Sequence, residues 1–144
     1  MDILFLSLHV LGAVFIVGPM VILPMTGMRA LRAGAAAPVN TIATTTSVFS
    51  FVSIAVAALG FGLVGMAPEE DHVSLSTRWV VASIVLWLVA LLLTLLLVVP
   101  ALRRGAESIS SGGSAGSAYG RVAAGSGLAS VLIVAVVVLM VWKP

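Results

Sequence analysis

The sequence predicts an all-α membrane protein with four transmembrane helices, and two observations support that fold class. First, 61% of its 144 residues are hydrophobic and 8% are charged, whereas a soluble domain carries about 25% charged residues. Second, four apolar stretches contain no Asp, Glu, Lys or Arg, at residues 3–28, 41–66, 79–102 and 122–142. About 20 apolar residues span a bilayer core, and lipid forces the backbone to bond internally, as in a helix. We therefore predict that residues 1–144 form one domain embedded in the lipid bilayer.

The first apolar stretch contains His9, Pro19 and Pro24 and ends at Arg29. A secretory signal peptide has a basic start and an apolar run of about 7–15 residues. This chain instead begins with Met-Asp, and its first run is longer. We predict that the first helix is retained and that its two prolines kink it in its second half.

Basic residues are distributed unequally among the connections, which predicts the orientation. Five of the seven basic residues lie in the first and third connections, namely Arg29, Arg32, Arg103, Arg104 and Arg121. The second connection contains the acidic residues Glu69, Glu70 and Asp71. Because cytoplasmic loops carry an excess of Lys and Arg, both termini are predicted to lie outside. Arginine outnumbers lysine, and Ala, Val and Gly are abundant, a composition that favours a high-GC bacterium. We predict that the protein lies in the bacterial inner membrane.

An internal repeat is indicated by the ends of the first and third helices. Arg29-Ala-Leu-Arg32 follows Pro24, and Pro100-Ala-Leu-Arg103 has a similar pattern. This pattern predicts two tandem helical hairpins, as in some transporters, although any helix that enters the cytoplasm needs a similar end. The third connection, 105–120, is rich in Gly, Ser and Ala. It reads either as a flexible linker or as an extension of the fourth helix with a small-residue face, Gly116–Gly120–Ala124.

Small and weakly polar residues recur at helical spacing on the second and third helices. They are Thr46, Ser50, Ser53, Gly60 and Gly62 on the second helix, and Ser83 with Trp87 on the third. In lipid such faces mediate close helix packing and interhelical hydrogen bonds, so packing is the leading interpretation. The alternative is a polar lane for a neutral solute.

His9 is the one ionisable side chain within a predicted span, and such residues suggest a functional site. Its depth corresponds to that of Gly60 and Gly62, where the missing side chains leave room for a ligand. One hypothesis is an axial ligand to haem b, with the second ligand supplied by Met140, by Met66 or by a second protomer. The alternatives are a hydrogen bond to a serine or a backbone carbonyl, and a proton-linked role.

Several function classes are disfavoured by residues that the sequence lacks. It has no cysteine, and no Asp, Glu, Lys or Arg within a span, so thiolate metal sites and a charged relay are excluded. No Ser-His-Asp or paired-carboxylate arrangement is apparent. We therefore predict no metal site and no catalytic residue, and we lean against an enzyme. The absence of a Lys/Arg run also predicts no nucleic-acid partner.

The opening Leu8-His9-Val10-Leu11-Gly12 resembles the start of small bacterial membrane proteins, including a four-helix family of unknown function. In that family the third helix likewise opens with Arg-Trp, Arg78-Trp79 here, and closes near Pro-x-Leu-Arg, residues 100–103. A similar histidine occurs in the copper-resistance protein D group and in membrane-type protoporphyrinogen oxidase. That resemblance implies haem or metal chemistry at His9, but the further intramembrane histidines of those groups are absent here.

Together these observations predict a non-enzymatic structural or accessory subunit. It would pack through its small-residue faces in a homo-oligomer or a larger membrane complex. A haem protein using His9 and a small transporter or channel for a neutral solute are the alternatives.

Overall fold

The computed structural model describes residues 3–69 and 72–144, so Glu70 and Asp71 of the acidic connection lie outside the described residues. Within those ranges the chain folds into four long helices, and the predicted all-α class is confirmed. They are α1 (Ile3–Arg32), α2 (Ala36–Gly65), α3 (Arg78–Ser110) and α4 (Gly116–Trp142). Each is long and apolar enough to cross a membrane.

The helices extend beyond the apolar stretches at the end of the bundle that carries most of the arginines, which we call the basic end. There α3 continues to Ser110 and α4 begins at Gly116, so only residues 111–115 connect them. The final segment of α3 stays helical because it is amphipathic, burying Leu102 and Ala106 while Arg103 and Arg104 are exposed. Of the two readings of 105–120, the structure therefore supports helix over linker.

Contacts at glycines define how the helices run relative to one another. A Cβ at Gly12 would meet Val56, and one at Gly125 would meet Val98, so α1–α2 and α3–α4 are antiparallel hairpins. A Cβ at Gly27 would meet Leu102. This contact joins the parallel helices α1 and α3 at the basic end, where the two hairpins come together in the same orientation.

The two halves of the bundle pack differently. In the half nearer the basic end, here the basic half, all four helices contribute to one apolar core: Leu31, Val39, Ala43, Val98, Val99, Ala101, Leu102, Ala106 and Val122. In the opposite half, Ile3–Gly12 packs chiefly against α2, and the first part of α3, up to Leu93, packs chiefly against α4. The two hairpins are thus in contact in the basic half and near the middle of the bundle. Contacts between them become few towards the end that carries the N- and C-termini of the chain.

Each of the parallel helices α1 and α3 contains a π-helical segment just before a proline. The segments are Ala13–Val17 and Thr94–Val98, and the prolines are Pro19 and Pro100. The N–H of Gly18 bonds the carbonyl of Ala13, and the N–H of Val99 bonds that of Thr94. Proline has no N–H, so the widened turn accommodates the missing bond. A π-helical segment before a proline is therefore a second feature that α1 and α3 share, besides the similar sequences at their basic ends.

Candidate functional site

His9 is held against α2 by a backbone hydrogen bond. Its Nδ1 lies 2.9 Å from the carbonyl oxygen of Val56, and because a carbonyl only accepts, Nδ1–H is the donor. A Cβ at Gly60 would lie 3.0 Å from the His9 Cε1 atom, so the glycine makes room for the ring. Of the alternatives for His9, the structure shows the bond to a backbone carbonyl. The other ring nitrogen, Nε2, forms no hydrogen bond within the described residues.

The other residues predicted around His9 are placed differently. Gly62 lies near the ring of Phe5, again within the α1–α2 hairpin. Met140 is 38% exposed near the end of α4, in the other hairpin. Met66 follows α2 and is 40% exposed. The structure therefore brings His9 together with Gly60 and the Val56 carbonyl, whereas both methionines lie exposed near helix ends.

The predicted polar face of α2 is buried inside the bundle. Thr46, Ser50 and Ser53 are each 0% exposed. The Ser50 hydroxyl donates to the Thr46 carbonyl at 2.8 Å, and the Ser53 hydroxyl donates to the Ser50 carbonyl at 2.7 Å. These bonds satisfy the hydroxyls within their own helix. The Thr46 Oγ1 atom is the exception, because it is buried with no hydrogen-bond partner in the described part of the chain.

The predicted residues on α3 belong to the packing between α3 and α4. Ser83 is buried, and its hydroxyl donates to the carbonyl of Trp79 at 2.8 Å. Trp87 is half-buried and packs against the cluster of Ala90, Ala129 and Ile133. Both side chains thus belong to the α3–α4 hairpin, whereas His9 packs within the α1–α2 hairpin.

A basic groove lies between α1 and α4 near the basic end. It encloses about 350 Å³ and is lined by Met25, Met28, Arg29, Arg32, Tyr119, Ala123, Ser126 and Gly127. The Arg32 guanidinium stands 4.5 Å above the centroid of the Tyr119 ring, a cation–π contact. Sequence reasoning used these arginines only for orientation and placed Tyr119 in the ambiguous third connection, so the groove was missed. Only the helical start of α4 at Gly116 brings Tyr119 opposite Arg32.

The helix α4 also presents a small-residue face away from the bundle. Gly116, Gly120 and Ala124 are all exposed, and a Cβ at Gly120 would meet nothing within 4 Å. Four other glycines of the helices instead receive a side chain from a neighbouring helix, with the nearest atom at 2.5–2.8 Å from a built Cβ: Gly12, Gly27, Gly105 and Gly125. The α4 face is thus a close-packing surface that this chain does not itself fill.

Comparison with known families agrees with this architecture. Residues 3–144 match the family described as predicted integral membrane protein (DUF2269). The chain belongs to this family. Comparison with curated proteins and with solved structures gives no match. Membership in DUF2269 confirms the resemblance to a family of predicted integral membrane proteins. The looser resemblance at His9 to the copper-resistance and protoporphyrinogen oxidase groups stays a prediction for this DUF2269 protein.

Proposed function

We propose that this protein is a non-enzymatic structural or accessory subunit of the bacterial inner membrane. Its basic end would face the cytoplasm, in accord with the positive-inside rule. It would associate with a second copy or with another membrane protein through the Gly116–Gly120–Ala124 face of α4. The observation that carries this proposal is that this face is exposed, whereas the glycines that mediate packing inside the bundle are filled by the chain itself.

The physical argument rests on how closely two helix backbones can approach each other. Ala124 lies at the start of the apolar span, and Gly116 and Gly120 precede it at the basic end. Small residues at such positions permit close van der Waals contact between helices. Residues four apart lie on one side of a helix, so the three small residues form a continuous shallow surface. The same chemistry joins α1 to α3 through Gly27 and Leu102. A large apolar side chain from a partner helix would fill the α4 face in the same way.

Cysteine cross-linking in native membranes tests the association. The chain has no cysteine, so Ala124→Cys introduces a unique thiol on the face, and Thr44→Cys provides an exposed control on α2 near the same end. We expect Ala124→Cys to form a cross-linked species, and addition of Gly120→Ile to abolish it. The control should stay uncross-linked. A monomeric particle with no co-purifying protein and no cross-linked species would refute the proposal.

A haem b protein is the second candidate, and the His9–Val56 bond favours it. Histidines that bind metals commonly donate their other ring N–H to a backbone carbonyl, and the Nδ1–H of His9 does so at 2.9 Å. Haem would supply redox chemistry if bound, with Nε2 of His9 as one ligand. A Soret band that His9→Ala removes would support this candidate, and a purified wild-type protein without that band would exclude it.

Transport of a neutral solute stays a hypothesis with less support. The side chains expected to line a polar lane are buried, and Ser50 and Ser53 bond their own helix. Liposome flux that is insensitive to Thr46→Val and Ser50→Ala would count against it.

A further inference from the structure

The basic groove between α1 and α4 has the charge of an anion-binding site. Arg29 and Arg32 both line it and are both exposed. No ion pair involves either arginine within residues 3–69 and 72–144. Glu107 is the one acidic residue near this end of the bundle, and it lies on α3 outside the groove lining. The two positive charges are therefore available to an external anion.

One of these arginines is already oriented across the groove. The guanidinium of Arg32 stacks on the ring of Tyr119 at 4.5 Å, which ties α1 to the start of α4. Stacking leaves the edge N–H groups of a guanidinium free to bond phosphate oxygens, and its fork matches phosphate geometry. The contact thus positions a phosphate donor before any ligand arrives.

Further along the groove from the arginines, the lining is mostly apolar. Met25 and Ala123 line this part, and Arg32 lies about 10 Å along α1 from Met25 at 1.5 Å per residue. Ser126 also lines the groove although it is largely buried, and within the described residues its hydroxyl bonds only the carbonyl of Ala123, at 3.5 Å. That distance marks a weak bond, so the hydroxyl can accept a better partner.

We propose that this groove binds an anionic phospholipid from the leaflet at the basic end. The phosphate would lie between Arg29 and Arg32, and the glycerol backbone would extend towards Ser126. The apolar wall at Met25 would then contact the start of an acyl chain. A free phosphate would use the two arginines but not the apolar wall, which is why a lipid fits the whole groove. Basic pockets between helices at a membrane surface recognise lipid headgroups by the same electrostatics.

Native mass spectrometry of the full chain tests this proposal. The protein is released from bilayers that contain equal amounts of phosphatidylglycerol and phosphatidylcholine, and the retained lipids are counted. Wild type should retain phosphatidylglycerol selectively. A charge-assisted hydrogen bond from one arginine to the phosphate contributes at least about tenfold to binding, so Arg29→Gln with Arg32→Gln should lower retention about a hundredfold. The matched control, Arg103→Gln with Arg104→Gln, removes the same charge at the same end outside the groove, and should lower retention several-fold less than the groove pair does.

A variant that fills the groove with a large side chain tests the proposal without changing the charge of the groove. A Cβ at Gly127 would meet nothing within 4 Å, so Gly127→Phe can fill the groove without straining the bundle, and both arginines remain. We expect it also to lose the selective retention of phosphatidylglycerol. Equal loss in the two arginine pairs would instead show diffuse surface attraction and overturn the proposal. So would equal retention of phosphatidylcholine, unchanged retention in Gly127→Phe, or displacement of the lipid by millimolar inorganic phosphate.

Discussion

The basic half and the opposite half of this bundle are built from helices of similar hydrophobicity, yet they pack in different ways. In the basic half, Leu31 enters the space above Gly105, and Leu102 enters the space above Gly27. These reciprocal contacts between α1 and α3 hold the two hairpins together. In the opposite half, the comparable contacts lie within one hairpin, as between Gly12 and Val56 or between His9 and Gly60.

The comparison shows that small residues, rather than hydrophobicity, decide where helices meet in a membrane. Apolar side chains gain little from leaving lipid for a protein interior, whereas close backbone approach increases van der Waals contact. The basic half has glycines opposite leucines on different hairpins. In the opposite half, large side chains such as Leu4 and Val141 are 61% and 80% exposed, and lipid solvates them.

The largest effect is expected from truncation of the basic-half core. Leu102→Ala removes a side chain that is 0% exposed and leaves a cavity beside Gly27. Because leaving lipid contributes little, the cavity alone sets the cost, and we expect the free energy of unfolding to fall by about 2–3 kcal/mol, measured by denaturant titration in mixed micelles. Leu96→Ala is the control on the same helix, because Leu96 is 72% exposed, and it should change stability by less than about 0.5 kcal/mol. Equal losses would contradict the contrast between core and lipid-facing positions.

Filling a glycine at the hairpin junction should cost somewhat less. A Cβ at Gly105 would lie 2.5 Å from Leu31 Cδ2 and 3.0 Å from the Ala118 Cβ. We expect Gly105→Leu to destabilise the protein by about 1–3 kcal/mol because the site is overpacked, in the same titration. Gly65→Leu, at the far end of α2 where nothing lies within 4 Å, should be neutral. If both variants behave alike, the two halves do not differ in packing.

A smaller effect of opposite sign is expected at Thr46. Its hydroxyl is buried without a hydrogen-bond partner in the described residues, and replacing such a group by an apolar one of the same shape is neutral or stabilising. Thr46→Val should therefore change the free energy of unfolding by 0 to about 1 kcal/mol in the stabilising direction. Ser50→Ala is the control that removes a hydroxyl with a bond of 2.8 Å. Destabilisation by Thr46→Val would indicate that the hydroxyl has a bound partner and would revive the transport hypothesis.

The last prediction concerns the mobility of the two hairpins relative to each other rather than the free energy of unfolding. Spin labels at Phe61→Cys on α2 and Val81→Cys on α3 report the separation of the hairpins in the opposite half, where both positions are exposed. Labels at Thr41→Cys and Arg103→Cys report it in the basic half. We expect a broader distance distribution for the first pair, measured by pulsed electron paramagnetic resonance, because sparse contacts permit local opening. Equally narrow distributions would show that the opposite half is held by contacts outside those described.

The number of transmembrane helices and their positions along the chain could be predicted from the sequence. A hydrocarbon core tolerates neither charge nor unpaired backbone groups, so four uncharged apolar runs predicted four helices, and the described part of the chain forms four. The level of His9 opposite Gly60 also followed from counting residues along antiparallel helices. The ends of the helices did not follow, because α3 to Ser110 and the start of α4 at Gly116 are set by packing of an amphipathic segment rather than by hydropathy.

Only the tertiary structure decided which small residues are used. Gly105 and Gly120 are the same residue type, but their surroundings differ. The Leu31 side chain packs against Gly105, whereas nothing lies within 4 Å of a Cβ at Gly120. That difference depends on how α1 and α3 approach each other, a long-range relation that local spacing does not encode. The same holds for the basic groove, since Arg32 and Tyr119 are separated by two helices in the chain and meet only in the folded bundle. The sequence by itself determined that lipid is the solvent; the fold determined which side chains are left facing it.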